Sequence, residues 1–338
     1  MNAHIPVLLD EVLAQAKAVA DDLARPLRFG LDGTFGRGGH TRALLAHHAT
    51  LKMTAFDQDA EALRFAETEF ATELGQGRLT LVHANFADLE KVEGEARDSG
   101  FDFMLFDLGV SSPQLDVGAR GFSFYHEGPL DMRMDDRKAL TAARILNEWS
   151  ESELTRVFQD YGEIERPFKV VRAIVQDRAR QPFTTTTQFA GLVERVDGWA
   201  KKGFHPATQY FMALRMEVNA ELDSIAAMLP KAMRLLSPGG RLAIITFHSL
   251  EDRMVKNFIR DVEDEAALGA DFGESVKRKP IVPTDAEVKR NSRARSAKLR
   301  VFRRYKAGEV KGPKNKYAHL AITRHPEPPA ASEEEGEE

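Results

Sequence analysis

The sequence predicts an α/β protein in which a mostly parallel β-sheet carries an inserted helical region. Over the first 110 residues, short β-rich segments alternate with amphipathic helical segments, the pattern of a parallel sheet with helical crossovers. The fourth and fifth strand segments are then about 130 residues apart, where a helical crossover needs only a dozen or more. With 338 residues the chain can bury a full core without disulfides or a structural metal.

Five segments are predicted as buried strands because each is an apolar, β-rich run that ends at a polar or glycine-bearing turn. They are Leu27–Phe35, Leu51–Asp57, Arg78–Phe86, Phe101–Leu108 and Arg241–Phe247. Before the fifth strand, Ser237 to Gly240 predicts the end of a helix followed by a tight turn. Two later segments, Leu299–Tyr305 and Tyr317–Thr323, predict an antiparallel hairpin at the edge of the sheet.

Apolar residues at three-to-four spacing predict a helix over Ala60–Leu74 and a helical insertion between strands four and five. The predicted helices of the insertion are Leu140–Leu146, Glu151–Tyr161, Pro167–Arg180 and Thr187–Val196. We therefore predict a discontinuous domain over 1–112 and 205–325, interrupted by a helical domain over 113–204. Because the insertion follows the carboxyl edge of a parallel sheet, where substrates bind, we expect it to recognise the substrate.

Composition narrows the class of protein. The chain has no cysteine, which excludes disulfides, cysteine-ligated zinc, iron–sulfur clusters and thiol nucleophiles. Its ten histidines show no metal-ligand spacing, so we expect no metal site. No apolar run approaches the roughly 18 residues that span a bilayer, and the N-terminus lacks the features of a secretory signal. We expect a cytoplasmic protein that binds no membrane.

Charge is segregated toward the C-terminus. Residues 277–316 contain fifteen Lys or Arg against three acidic residues, whereas residues 327–338 contain six glutamates and no basic residue. The basic stretch, with Arg293, Arg295, Lys298 and Arg300 at its centre, predicts an anionic partner such as nucleic acid. A solvated basic extension is the alternative. Residues 326–338 are predicted to be a disordered acidic tail.

A glycine-rich segment joins the first strand to the next helix. Backbone N–H groups and a helix N-terminus face whatever binds above such a turn, and glycines permit the close approach. A dinucleotide fingerprint is not met, because the sixth position counted from Gly36 is Thr41. The remaining pattern runs from Asp32 through Gly36 to Gly38, a spacing typical of S-adenosylmethionine sites. A purely structural turn is the alternative.

The second and third strands end in further candidate cofactor residues. Asp57 lies 21 residues after Gly36, where an acid can accept hydrogen bonds from both ribose hydroxyls of an adenosyl group. Asp59 is predicted to cap the following helix. Phe86, at the end of the third strand, can pack on an adenine or belong to the core.

The fourth strand ends in Asp107, followed by a turn that contains Ser111 and Ser112. Together they offer several acceptors that could bind an exocyclic amino group and localise its lone pair for attack on a methyl donor. His248 follows the fifth strand and is expected on the same rim, with Ser249 and Asp252 as a capping box. Helix capping, ordinary turn chemistry and a satisfied loop histidine are the respective structural alternatives.

Taken together, these motifs resemble the bacterial ribosomal small-subunit methyltransferase H family. The matching segments, in order along the chain, are His4–Leu9 (HIPVLL), Asp32–His40 (DGTFGRGGH), Phe106–Asp116 (FDLGVSSPQLD), Arg120–Phe124 (RGFSF), Gly128–Asp135 (GPLDMRMD), His205–Thr208 (HPAT), Phe247–Arg253 (FHSLEDR) and Arg293–Arg300 (RARSAKLR). The match covers about residues 4 to 300. One departure is Met212, where a glutamine is expected.

The resemblance implies a Rossmann-like class I methyltransferase domain with an inserted helical domain. It implies methyl transfer from S-adenosyl-L-methionine to N4 of a cytidine in 16S ribosomal RNA of the small subunit. By motif position, the implied cofactor contacts are Gly38, Gly39, His40, Asp57, Phe86, Asp107 and Gln114. Asp107 is thereby assigned to the cofactor as well as to the amine.

Other functions remain open at this point. The same chemistry could act on DNA cytosine or on a protein amide, and a non-catalytic ribosome-assembly factor could retain the fold. A nicotinamide oxidoreductase is disfavoured by Thr41 and by the lack of a second nucleotide-binding half. The oligomeric state is also open, and a homodimer is compatible with the sequence.

Overall fold

The protein is built on one seven-stranded sheet. The computed structural model describes residues 5–198, 205–264 and 272–309. The strands are β1 Phe29–Asp32, β2 Lys52–Asp57, β3 Leu79–His83, β4 Phe101–Asp107, β5 Leu236–Thr246, β6 Gly273–Ser275 and β7 Lys298–Arg304. Their order is 3-2-1-4-5-7-6, with β1 to β5 parallel and β7 antiparallel to both β5 and β6. The predicted mixed, mostly parallel sheet is confirmed.

One strand prediction needs correction. No separate turn divides the helix from the fifth strand: the helix ends at Leu235 and β5 begins at Leu236, with a register shift against β4. The shift is accommodated at Gly240, where a Cβ would meet the carbonyl oxygen of Phe101 at 2.8 Å. The predicted second strand of the hairpin, Tyr317–Thr323, lies outside the described residues. Within the described residues, β6 pairs with β7 on the side away from β5.

Helices flank the sheet on both faces and also form a separate cluster. They are α1 Leu9–Leu23, α2 Gly39–His47, α3 Ala60–Glu69, α4 Ala71–Gly75, α5 Glu95–Ser99, α6 Ser112–Asp116, α7 Ala142–Glu148, α8 Glu151–Asp160, α9 Phe168–Arg178, α10 Thr186–Asp197, α11 Ala207–Asn219, α12 Glu221–Leu235, α13 Ser249–Glu263 and α14 Asp285–Arg290. The single helix predicted over Ala60–Leu74 is broken at Phe70, whose ring is fully buried against Phe35. Among the described helices, none is long and apolar enough to cross a bilayer.

The sheet separates two apolar cores because successive side chains of a strand point to opposite faces. In β4, Phe103 and Leu105 face the core formed with α1, α2 and α3, whereas Met104 and Phe106 face the core formed with α12 and α13. Strand β4 is buried along nearly its whole length, as expected for a central parallel strand.

The region between β4 and β5 forms a third core. The four predicted helices are present as α7 to α10, and their apolar faces pack together. Helix α11 adds Tyr210, Phe211 and Leu214 to this core, so the core continues beyond the predicted boundary at residue 204. Asn219, at the end of α11, binds the loop that precedes α7. Its side chain accepts from the N–H of Met134 at 2.8 Å and donates to the carbonyl of Met132 at 2.8 Å.

Candidate active site

A cavity of about 710 Å³ opens at the carboxyl edge of the parallel sheet. Its walls come from the ends of β1, β2 and β4, the segment after β5, and the start of α12. The strand order reverses between β1 and β4, and ligands of open α/β sheets bind at such a point. The volume lies within the range of about 300 to 1,000 Å³ that is usual for small-molecule sites.

The glycine loop after β1 forms one wall. Gly36 has φ +55° and donates its N–H to Asp57 at 2.7 Å, and Gly36, Gly39 and His40 all line the cavity. Gly38 is not part of the wall. It has φ +66°, and a Cβ there would meet the rings of Phe35 and Phe70 at 2.5 Å. Gly38 therefore sets the shape of the loop.

Buried side chains hold this loop in place. Asp32 accepts from the hydroxyl of Thr41 at 2.7 Å and from the N–H of Thr34 at 3.1 Å, and burial raises its pKa. The ring of His40 is buried, with Nε2 2.9 Å from the carbonyl oxygen of Val7 and Nδ1 3.8 Å from a carboxylate oxygen of Asp107. The loop is thus anchored to the N-terminal segment and to the end of β4.

Asp57 ends β2 beside the loop and lines the cavity. Its Oδ2 accepts from the N–H of Gly36 at 2.7 Å, and its Oδ1 accepts from the N–H of Asp59 at 2.8 Å. Burial raises the pKa of Asp57 to about 6 although these hydrogen bonds oppose the shift. Asp59 caps α3 through the N–H of Glu61 at 3.0 Å, as predicted.

Phe86 lines the cavity beyond the end of β3. Its ring packs edge-on against Phe106, with centroids 6.0 Å apart. The neighbouring Asn85 accepts from the N–H of Ala87 at 2.7 Å and donates to Gln58 at 3.0 Å. Phe86 therefore contacts the core on one side and lines the cavity on another, and its packing on an adenine stays a prediction.

Asp107 ends β4 at the centre of the cavity wall. Its N–H donates to the hydroxyl of Thr34 at 2.6 Å, but its buried carboxylate oxygen Oδ1 has no hydrogen-bond partner among the described residues. Burial, followed by the nearby charges of Asp32 and Glu251, raises the pKa of Asp107 well above its ordinary value. A donor or a cation in the cavity would satisfy this oxygen.

The turn after β4 is fixed by Gln114. Its Oε1 accepts from the N–H of Ser111 at 2.9 Å, and its Nε2 donates to Asp59 at 3.1 Å. Both Ser111 and Gln114 line the cavity. The side chain of Ser112 lies outside the described residues.

The segment after β5 differs from the prediction. Helix α13 begins at Ser249. A residue of its own first turn, Glu251, caps it, because the Glu251 carboxylate accepts from the N–H groups of Phe247 at 2.9 Å and His248 at 3.4 Å. The predicted capping box of Ser249 and Asp252 is therefore wrong, since the helix starts one residue too early for that pairing. Glu251 lines the cavity, whereas His248 is not part of the lining and has its Nε2 3.1 Å from Oε1 of Glu251.

Sequence reasoning missed Glu251, Glu221 and Arg215. Both glutamates line the cavity, and Arg215 donates to the two oxygens of Glu221 at 2.7 and 2.8 Å. The pattern of His248 followed three residues later by a glutamate could have revealed Glu251, because it is the spacing of a helix cap. Glu221 and Arg215 carry no such local signal.

We expect no metal site from the sequence. The described part of the chain contains one cluster of possible metal ligands. One ligand atom each from Glu221, His248 and Glu251 lies within 4.8 Å of the others. Arg215 already pairs with Glu221, so the charge of that carboxylate is compensated by the protein itself.

Two of the predicted RNA-binding residues lie on the segment that borders the cavity. Arg293 lines the cavity and pairs with Asp116 at 2.5 Å, and Arg295 is exposed. The other two are held on β7. Asp252 accepts from Arg300 at 2.7 Å and from Lys298 at 3.2 Å, and the Arg300 side chain is only 11% exposed.

The sheet defines the class of protein. A dinucleotide-binding sheet continues with parallel strands beyond its fifth position, whereas here the antiparallel β7 lies between β5 and β6. This is the arrangement of the class I methyltransferases, which use S-adenosylmethionine. The cavity suits that molecule, which carries an ammonium and a sulfonium charge, because Asp107 presents a buried, unpartnered oxygen to it.

The chain belongs to the MraW methylase family, whose model matches residues 1–305. It is 53% identical over 307 residues to the ribosomal RNA small subunit methyltransferase H of Bdellovibrio bacteriovorus, which covers 91% of this chain and 89% of that protein. The protein of the same description from Thermomicrobium roseum is 46% identical over 321 residues, covering 90% of this chain and 94% of that protein. The resemblance predicted from the motifs is confirmed.

A more distant similarity exists to a solved rRNA methylase from Streptococcus thermophilus. The two share 13% identity with a TM-score of 0.38, covering 86% of this chain and 97% of that one. A likeness this low bears on neither activity nor substrate.

Proposed function

We propose that this protein transfers a methyl group from S-adenosyl-L-methionine to N4 of a cytidine in the decoding region of 16S ribosomal RNA, at position 1402 in the usual numbering. The observation that carries the proposal is full-length membership of the MraW methylase family, with curated relatives described as small-subunit methyltransferase H. The site adds a physical reason, because its acceptors suit an amino nitrogen.

S-adenosylmethionine supplies a methyl group that is activated by the sulfonium charge. We propose that the wall beside β1 and β2 binds it, with Asp57 accepting from the ribose hydroxyls and Phe86 packing on the adenine. The remaining cofactor residues of this proposal are Gly36, Gly38, Gly39, His40, Asp107 and Gln114. Among them, Gly38 and Gln114 act by holding neighbouring backbone in place, as their contacts indicate.

The amino group of the cytosine would lie near the end of β4. Hydrogen bonds from that group to Asp107 and Ser111 would localise the nitrogen lone pair, which otherwise delocalises into the ring. Binding of the cytosine and the methyl donor in a fixed geometry, away from water, then provides most of the rate enhancement. Catalytic roles for Ser112 and His248 stay predictions, and the contact of His248 with Glu251 outside the cavity lining favours an indirect role.

RNA recognition is proposed for two surfaces. The helical insertion over 113–204 would recognise the folded substrate, and the arginines beside the cavity would contact phosphates. Arg293, which lines the cavity, and the exposed Arg295 are better placed for this than Arg300 of β7, whose side chain is largely buried against Asp252, and Lys298, which contacts the same carboxylate. We further propose that the enzyme acts in the cytoplasm, where ribosomal subunits are assembled. Formation of a homodimer stays a prediction, which analytical ultracentrifugation would check.

The experiment that tests the function is methyl transfer from labelled S-adenosylmethionine to small ribosomal subunits that lack the modification, followed by nucleoside analysis. Label in N4-methylcytidine is the expected result. Cofactor binding without label in RNA would contradict the substrate and direct the search to DNA cytosine or protein amides. Absence of cofactor binding would instead support a non-catalytic assembly factor.

A further inference from the structure

Glu251 is a fully buried acid among the residues that line the cavity. Its residue exposure is 0%, and it lies at the start of α13, directly after β5. One of its oxygens, Oε2, accepts from the N–H groups of Phe247 and His248. Helix capping therefore accounts for one oxygen of this side chain.

The other oxygen, Oε1, is not explained by capping. It is buried and has no hydrogen bond among the described residues. Nε2 of His248 lies 3.1 Å away, in an alignment that falls short of a hydrogen bond. A buried carboxylate oxygen without a donor is unfavourable, and a donor that enters the cavity would remove this cost.

The pKa values of the two cavity carboxylates are shifted in opposite directions. Burial acts to raise the pKa of Glu251, but His248, the N–H of Phe247 and Arg215 outweigh it and hold the pKa below its ordinary value. The helix N-terminus adds to this stabilisation of the anion. Asp107 is shifted in the opposite direction. Opposite shifts within one site are typical of paired acid and base roles, and the lowered pKa favours Glu251 as the ionised group.

We propose that Oε1 of Glu251 accepts one of the two hydrogen bonds of the N4 amino group of the target cytosine, which leaves the other to an acceptor at the end of β4, and then takes the proton that the nitrogen loses on methylation. Carboxylates are the usual partners of this amino group in nucleic-acid recognition. The inference rests on the proposed function and adds a catalytic residue to it.

The step balances in atoms and charge. The N4 lone pair forms the bond to the methyl carbon as the carbon–sulfur bond breaks, and the sulfur keeps that electron pair. The nitrogen, now positively charged, gives its proton to Oε1, which leaves a neutral N4-methylcytidine and a carboxylic acid. The proton returns to solvent when the product leaves. As positive charge develops on the nitrogen, the buried anion stabilises the transition state more than the ground state.

A bound cation is the competing explanation, because Glu221, His248 and Glu251 could offer three ligand atoms. Arg215 argues against it. Its guanidinium already binds both oxygens of Glu221, so a divalent ion would have to displace a buried cation. The test below separates the two explanations.

The experiment compares Glu251→Gln with the wild-type full chain on small subunits that lack the modification. Glutamine keeps the shape and one acceptor for the helix cap but removes the charge. We expect kcat to fall on the order of 100-fold. KM for the subunits and cofactor affinity by calorimetry should stay within about twofold, because the interaction strengthens only in the transition state. Asp261→Asn is the matched control, since Asp261 lies on the same helix as Glu251 and pairs with Arg260 at 3.2 Å but does not line the cavity.

A second variant, Glu251→Asp, keeps the charge and withdraws it by one methylene group. We expect kcat to fall about tenfold, between wild type and the glutamine variant. If Glu251→Gln proves unfolded by thermal melting, this variant decides the question. A wild-type kcat in either folded variant would overturn the proposal, because the proton would then leave directly to solvent.

Two further outcomes are distinguishable. Loss of wild-type activity on chelation, with recovery on adding Mg²⁺, Mn²⁺ or Zn²⁺, would overturn the proposal in favour of a cation at the same cluster. Failure of the wild-type enzyme to form N4-methylcytidine would refute the proposed function itself, before any variant is compared.

Discussion

Replacing Asp57 by asparagine tests the cofactor half of the site. The carboxylate accepts two backbone hydrogen bonds, from Gly36 at 2.7 Å and from Asp59 at 2.8 Å, and both of its oxygens are used. Asparagine has a single acceptor oxygen, so one of these N–H groups loses its partner. The ribose hydroxyls would at the same time lose an ionised acceptor.

The expected loss follows from these contacts. Hydrogen bonds to a charged group contribute about 1.5 to 3 kcal/mol, so we expect cofactor binding to weaken by about 2 kcal/mol, which is about 30-fold in Kd. Isothermal titration calorimetry at pH 7.5 measures it directly. Asp88→Asn is the control, because Asp88 pairs with Lys91 away from the cavity.

A pH series sharpens the test. Because the pKa of Asp57 is about 6 in the free protein, the carboxylate is ionised above that pH and protonated below it. Binding that requires the ionised form should be constant above pH 6 and weaken about tenfold for each pH unit below it. The Asp57→Asn variant should lack this dependence. Equal affinities at pH 7.5, or equal pH slopes in the two proteins, would refute the role of Asp57.

Two further predictions concern the glycine loop and the basic surface. Gly38 and Gly77 have nearly the same φ, +66° and +65°, but only at Gly38 would a Cβ meet aromatic rings at 2.5 Å. Gly38→Ala should therefore lower the free energy of unfolding by about 2 to 4 kcal/mol and Gly77→Ala by about 1 kcal/mol, and equal losses in urea titrations would contradict the packing argument. Replacing Arg293 and Arg295 together by alanine should reduce the salt dependence of subunit binding by about one unit of log–log slope per arginine, whereas Arg64→Ala, on the exposed side of α3, should leave the slope unchanged.

The sequence alone determined the parallel sheet and the strand ends that carry Asp57 and Asp107. Both follow from local patterns, because a buried strand is a short apolar run and its carboxyl end is the first polar residue after it. The helices of the insertion followed in the same way from their apolar periodicity. The short β6, Gly273–Ser275, has no such pattern, and only its pairing with β7 makes it a strand.

Only the tertiary structure decided which charged residues face the cavity. Arg300 and Lys298 have the same basic character as Arg293 in the sequence, but Asp252, almost fifty residues earlier, holds the first two. Glu251 belongs to a polar helix start, and its second oxygen is buried only because distant segments close around it. Periodicity reflects neighbours along the chain, whereas burial, ion pairing and pKa depend on groups brought together through space in a medium of low dielectric constant.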